Sequence, residues 1–336
     1  MASCVGEKSR LNLKETSLPQ DLKTVFESGK LAVIPTETVY GLAAPVGDPA
    51  LIERVFQLKE RPLFNPLIVH ISDPSQIEVY AMDIPDVAYE LAAMFWPGPM
   101  TLVLPKKDMV PDLVTAGKPT VALRVPNHPL TIDLLKQFGG AVVAPSANKF
   151  TQVSPTSVRA AKQWFSESDV TFFDGGHCGV GIESTILKPD PNSKTLFVLR
   201  RGMLDLEKVK GVAEAAGWKM AVDATSETPE APGQLKVHYR PKSPLFVFPK
   251  GCDFDLGLVN GYLVDMGFSS VTELRYLDLS DESYLAARQL YAAMEELSSD
   301  ESALVFVYDH QQHSGSGWEA ILDRLGRAAL RFQMIP

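Results

Sequence analysis

The residues best placed to do chemistry fall in two short cassettes far apart in the chain. One is Lys59-Glu60-Arg61-Pro62 running into Asn65-Pro66-Leu67-Ile68-Val69-His70, and the other is Ala144-Pro145-Ser146-Ala147-Asn148. The first closes a helical pattern with two fixed cations and enters an apolar strand. Pro62 favours an extended backbone at Arg61, which can turn the guanidinium back toward Lys59. Arginine brings a planar fork and lysine a compact point charge, a pairing suited to a triphosphate. The second cassette presents a hydroxyl and an amide at the carboxyl end of a buried run, Ala141 to Ala144. In open α/β sheets ligands collect at that end, so cations and neutral hydrogen-bonding groups meeting there predict a site for a polyanion such as a nucleotide. Each piece has a plainer reading when taken alone: a basic helix end complementing the macrodipole, and a satisfied strand histidine at His70.

Other positions add to this picture. Pro35-Thr36-Glu37-Thr38-Val39-Tyr40-Gly41 places two hydroxyls and a carboxylate after a strong strand, either to bind an amino-acid ligand or to cap a polar turn. Arg124 interrupts the apolar run Val121 to Val125, and a buried arginine must face a carboxylate, a ligand or the sheet edge. Ser184 and Thr185 open a strand with hydroxyls, and Arg200-Arg201-Gly202 ends another with cations. Gly175 to Gly181 lacks the Gly-Lys-Ser/Thr ending of a phosphate loop and reads as a turn. His310 and His313 occupy a loop with no third ligand, so no protein metal site is predicted. No nucleophilic triad spacing is present.

The elements that must position these residues are those of an α/β protein. Strand-like runs at 31–34, 67–71, 101–104, 121–125, 141–144, 170–173, 184–187 and 196–199 alternate with helical patterns at 21–28, 49–59, 86–95, 129–138, 155–165 and 204–216. Residues 223–244 are polar and proline-containing, as a linker would be. Beyond them, strands at 244–249 and 303–308 with helices at 284–297 and 318–330 predict a smaller α/β unit. With 336 residues, 45% hydrophobic and 22% charged, two ordinary domains are expected. The net charge of −9 opposes general nucleic-acid binding. Three cysteines without paired spacing predict a reducing compartment. The polar opening Met1 to Ser17 and the lack of any bilayer-length apolar run predict a cytoplasmic protein with no membrane attachment.

Seven cassettes together resemble the YrdC-like threonylcarbamoyl-adenylate synthases: Pro35 to Leu42, Lys59 to Leu67, Trp96 to Thr101, Ala122 to Pro126, Pro145 to Asn148, Glu183 to Thr185 and Leu199 to Gly202. The tail is similar to the family's two-domain form, with His238-Tyr239-Arg240-Pro241 as linker motif and Gln289 to Ala293 and Ala320 to Leu325 in the small domain. The resemblance implies a YrdC-like twisted mixed sheet with flanking helices over residues 1–217, a linker at 218–243 acting as an active-site lid, and a smaller Rossmann-like α/β domain at 244–336. It implies condensation of L-threonine, bicarbonate and ATP, with Mg²⁺, to threonylcarbamoyl-AMP and pyrophosphate. The product would pass to a downstream transferase acting on tRNA, without stable direct tRNA binding by this chain. By family motif, Thr38, His70, Arg124, Ala144 and Ser184 would bind threonine. Lys59, Arg61, Asn65, Thr120, Ser146, Asn148, Ser154, Arg200 and Tyr239 would bind ATP, with Lys59 and Arg61 catalytic. An RNA-binding module and a carbamoyltransferase-like enzyme are the alternatives.

Overall fold

The computed structural model describes residues 21–222, 232–233, 235 and 237–332. Its strands are β1 (Leu31–Ile34), β2 (Gly41–Pro45), β3 (Ile68–His70), β4 (Met100–Pro105), β5 (Thr120–Arg124), β6 (Val142–Val143), β7 (Val170–Phe172), β8 (Thr185–Asp190), β9 (Thr195–Arg200) and β10 (Lys219–Val222). These form one ten-stranded mixed sheet in the order β10-β9-β8-β4-β5-β3-β6-β2-β1-β7. The last strand carries the sheet past the boundary at residue 217 read from the sequence, pairing in parallel with β9. Of the segment expected to be a lid, residues 223–231, 234 and 236 lie outside the described residues.

Local chemistry sets the helix limits. The helix Pro49–Lys59 begins at Asp48, whose carboxylate accepts from Leu51 N, with proline in its first turn. It ends at Glu60 in a left-handed conformation (φ 54°), which turns the chain from Lys59 toward Arg61. The helix Pro129–Phe138 starts on proline and stops at Gly139, also left-handed. Between 155 and 165 only Val158–Lys162 is helical, capped by the Ser157 hydroxyl. β2 escapes the sequence pattern because glycine and alanine carry little strand preference; pairing with β1 and β6 makes it a strand.

The second unit has a four-stranded parallel sheet, β12-β13-β11-β14, from β11 (Leu245–Pro249), β12 (Glu273–Tyr276), β13 (Ser302–Tyr308) and β14 (Arg331–Phe332). Helices Leu256–Asp265, Ser283–Leu297 and Ser316–Ala328 connect these strands. The first domain's main core lies against its large sheet. A second core crosses between the units, joining Val39, Val153 and Ile182 to Tyr239, Leu290, Tyr291 and Trp318. Among the described residues no helix is long and apolar enough to cross a membrane.

Candidate active site

The parallel pairing of β3 with β5 sets His70 beside Arg124. β6 runs antiparallel to β3, so its carboxyl end, at Ala144, lies by Ile68 rather than His70. In a mixed sheet the carboxyl ends do not gather at one edge. The cavity accordingly spreads over the face lined by Ile68, His70, Arg124 and Ala144, alternate positions of the strands.

Arg124 is buried, and it finds an anion within the protein. Its Nη2 lies 2.8 Å from Glu37 Oε1 and donates to Thr38 Oγ1 at 2.9 Å, while Nε donates to Gly98 O at 3.4 Å. The Glu37 contact is an ion pair with poor hydrogen-bond angles, which leaves both carboxylate oxygens without a hydrogen-bond donor. The turn carrying Glu37 is tied by Thr36, whose hydroxyl donates to Val39 O at 2.7 Å and accepts from the Thr38 and Val39 amides. Burial, reinforced by Arg124, pushes the His70 pKa down to about 3, so its imidazole is neutral near pH 7.

The other cations are held by neutral groups. Lys59 Nζ donates to the carbonyls of Ser146 and Asn148, which joins the two sequence cassettes directly. Arg61 donates to Asn65 O at 3.2 Å and Pro66 O at 2.8 Å. Arg200 donates to Ser184 O and Ser184 Oγ, each at 3.0 Å, and to Pro232 O at 3.1 Å. Among the described residues neither Lys59 nor Arg61 meets a carboxylate. Burial first, then Arg61 and Lys149, pushes the Lys59 ammonium well below its ordinary pKa. Burial and Arg200 bring Arg61 down to about 9. Three buried cations with little countercharge make a strong anion-seeking wall.

Across this wall lie Pro232-Gly233 and His238-Tyr239. Tyr239 is left-handed (φ 63°) and buried. A Cβ added to Gly233 would come within 2.7 Å of the Tyr239 hydroxyl and 3.0 Å of Arg200 Cδ, so only glycine lets the strap lie this close. The cavity beneath measures about 50 Å³, room for a few waters rather than a nucleotide.

Of the residues expected to bind threonine, Thr38, His70, Arg124 and Ala144 line the cavity. Ser184 sits behind it, holding Arg200 and sharing a hydrogen bond with Thr101. Of the expected nucleotide set, Arg61, Ser146, Arg200 and Tyr239 line it. Lys59 and Asn148 lie behind Ser146, Asn65 supports Arg61, and Ser154 donates to Glu183. Thr120 is not brought to the cavity. It begins the strand that Arg124 ends, roughly 13 Å away at the usual rise, and lines a separate depression with Asp83 and Lys188. Glu183, Gly233 and His238 line the cavity without having been assigned roles from sequence, although Glu183 and His238 lay within quoted motifs, and Thr36, one of the two hydroxyls read as possible ligand-binders, lines it too.

Two family models divide the chain. Residues 24–202 match Sua5/YciO/YrdC, described as "Telomere recombination", and residues 203–330 match "Threonylcarbamoyl-AMP synthase, C-terminal domain". The chain belongs to the Sua5/YciO/YrdC family. Within it, the chain is 41% identical over 223 residues to the threonylcarbamoyl-AMP synthase of Pyrococcus abyssi and 37% identical over 224 residues to that of Bacillus subtilis. Each match covers 66% of this chain, and it spans 65% and 64% of those relatives' own lengths. The Schizosaccharomyces pombe synthase matches at 30% identity over 88% of this chain and 84% of its own. Among solved structures, P. abyssi Sua5 complexed with L-threonine superposes with a TM-score of 0.76 at 31% identity, covering 92% of this chain and 94% of that one. The superposition includes both units, so the two-domain architecture is common to the two proteins.

Proposed function

We propose that this chain is an L-threonylcarbamoyladenylate synthase, condensing L-threonine, bicarbonate and ATP to threonylcarbamoyl-AMP and pyrophosphate for threonylcarbamoyladenosine modification of tRNA. The observation that carries the reading is the pairing of two environments in one cavity. Arg61 and Arg200 line it with cations held by carbonyls and a hydroxyl, with Lys59 buried behind Ser146, and beside them Thr38, His70 and Arg124 form a small polar recess. The first suits a triphosphate and the second an amino acid.

Threonine and bicarbonate form a carbamate with loss of water. A carbamate oxygen then attacks the α-phosphorus, the bond to the β-phosphate oxygen breaks, and pyrophosphate leaves. The protein's part is positioning and neutralising charge. Lys59 and Arg61 are assigned as the catalytic cations, Arg61 from the cavity wall and Lys59 from behind Ser146. Arg200, Ser146, Asn148, Asn65 and Ser154 build the rest of that wall, and Tyr239 covers it. Arg124 shares its guanidinium between Glu37 and the threonine carboxylate. A neutral His70 avoids adding charge and can accept a hydrogen bond from the amino acid.

No cluster of three acidic, histidine or cysteine side chains able to hold a metal is present among the described residues. Mg²⁺ is assigned as the counter-ion that accompanies ATP, and no step is routed through it. In this reading Pro232-Gly233 and His238-Tyr239 move aside to admit ATP, so that the linker serves as a lid; the small volume beneath them supports it. The reading places the chain in the cytoplasm, handing its product to a transferase.

The test is pyrophosphate release from ATP by the pure protein. It should require both threonine and bicarbonate, and release no greater than with ATP alone would reject the synthase. Tight tRNA binding at physiological salt that ignores threonine would favour an RNA-binding module, which the −9 net charge opposes.

A further inference from the structure

Glu183 lines the cavity, yet the segment carrying it is seated in the other domain. Gly181 (φ +88°) lies against the second-domain helix Ser283–Leu297 so closely that an added Cβ would be 2.4 Å from Arg288 Cα and 2.5 Å from Ala287 O. Ile182 is fully buried in the core that crosses between the domains. Glu183 itself, also buried, receives Ser154 Oγ on Oε1 at 2.7 Å. On Oε2 it receives Tyr291 OH at 3.0 Å and Arg324 Nε at 3.1 Å. Both of the latter are buried side chains of the second domain, and Arg324 Nη1 also donates to Arg201 O at 2.7 Å. The same two residues bear on the strap. The rings of Tyr291 and Tyr239 stack with centroids 5.8 Å apart, and the Arg324 guanidinium lies 5.4 Å from the Tyr239 ring centroid.

A buried carboxylate needs paired charge and hydrogen bonds, and here two of its three donor side chains, with its ion-pair partner Arg324, come from across the domain boundary. The next residue, Ser184, holds Arg200 through both its carbonyl and its hydroxyl. Any shift of Glu183 thus passes through a single peptide unit to Arg200. We propose that Tyr291 and Arg324 are positioning residues for the active site, acting through Glu183 to hold Ser184, Arg200 and the Tyr239 ring. The second domain thereby completes the pocket of the first. The identity of the substrates is taken from the functional reading above; the positioning itself is not.

The full chain carrying Tyr291→Phe tests this with little risk to folding, because only a hydroxyl is removed and the ring packing stays. Two readouts are needed: steady-state kinetics with threonine and ATP varied separately, and hydrogen exchange at the Thr185 and Arg240 amides. These amides are bonded to Pro99 O and Thr151 O and flank the two positioned segments. We expect kcat/KM to fall about tenfold, as for one lost hydrogen bond to a charged group, with faster exchange at both amides and a melting temperature lowered by only a few degrees. Glu183→Gln combined with Tyr291→Phe should be no worse than the poorer single variant, because both act on the same carboxylate. Wild-type kinetics and exchange in Tyr291→Phe, or losses that multiply in the double variant, would overturn the proposal. If the wild-type chain releases no pyrophosphate, the functional reading fails while the exchange comparison still decides the positioning.

Discussion

Arg124 meets Glu37 and Thr38 with the same guanidinium nitrogen, and this dual contact governs how its role must be tested. Arg124→Ala would strand a buried carboxylate at a cost of about 3–5 kcal/mol, confusing folding with binding. Arg124→Lys keeps the charge and loses the fork. It should raise KM for threonine about 10- to 100-fold, the loss of a charge-assisted hydrogen bond, and leave KM for ATP nearly unchanged. An equal rise in both constants would remove Arg124 from the carboxylate site. Protons make a second prediction. His70 and His238 have pKa values lowered from 6.5 to about 3, chiefly by burial. Below pH 6.5 the unfolded chain takes up protons that the folded chain refuses until about pH 3, so stability is lost as pH falls through that window. Each histidine should contribute up to about 3 kcal/mol of this loss by pH 4. Urea midpoints measured from pH 7 to pH 4 should fall less steeply for His238→Gln than for wild type, and parallel slopes would contradict the assignment.

At the scale of elements, the turn after the helix Asp86–Phe95 does more than stop it. Pro97 and Pro99 with Gly98 between them cannot continue a helix, and the backbone leaves it at Trp96. Gly98 also donates to Val125 O at 2.9 Å and accepts from Arg124 Nε at 3.4 Å, buttressing the strand end that carries Arg124. A Cβ at Gly98 would lie 2.3 Å from Phe95 O, a backbone atom with little room to move. Gly98→Ala should therefore cost at least about 1–3 kcal/mol by overpacking and raise KM for threonine. Thermal melts and threonine titrations check this, and wild-type values in both would mean that the turn yields freely. Thr120 lies at the other extreme of its element. It shares a strand with Arg124 but stands at the far end, because a strand advances about 3.3 Å with each residue.

For the whole molecule, the decisive contact is the seating of residues 181–183 in the second domain. Gly181→Ala should force the helix Ser283–Leu297 away from this segment, since the clashing atoms are backbone. Calorimetry should then show two separated transitions in place of one cooperative unfolding, with a parallel loss of turnover. A single transition at the wild-type temperature would show that the docking tolerates the methyl group. The second domain is thus tied to the site by packing as well as by the Arg324–Glu183 ion pair at 3.1 Å.

Much of the site was legible from local chemistry. Lys59 and Arg61 as an anion-seeking pair, Arg124 as a buried cation in need of an anion, and the α/β rhythm all follow from residue types, periodicity and caps, which act over a few positions. The tertiary structure decided matters that depend on separation in space. It selected Glu37 as Arg124's internal partner, laid the site across a sheet face by pairing β3 with an antiparallel β6, and set Thr120 apart from the cavity. It also brought Tyr291 and Arg324 onto Glu183 from more than a hundred positions away. Those last contacts could not be read from spacing, because a buried tyrosine or arginine on a helix looks the same in sequence whether it faces its own core or a neighbouring domain's carboxylate.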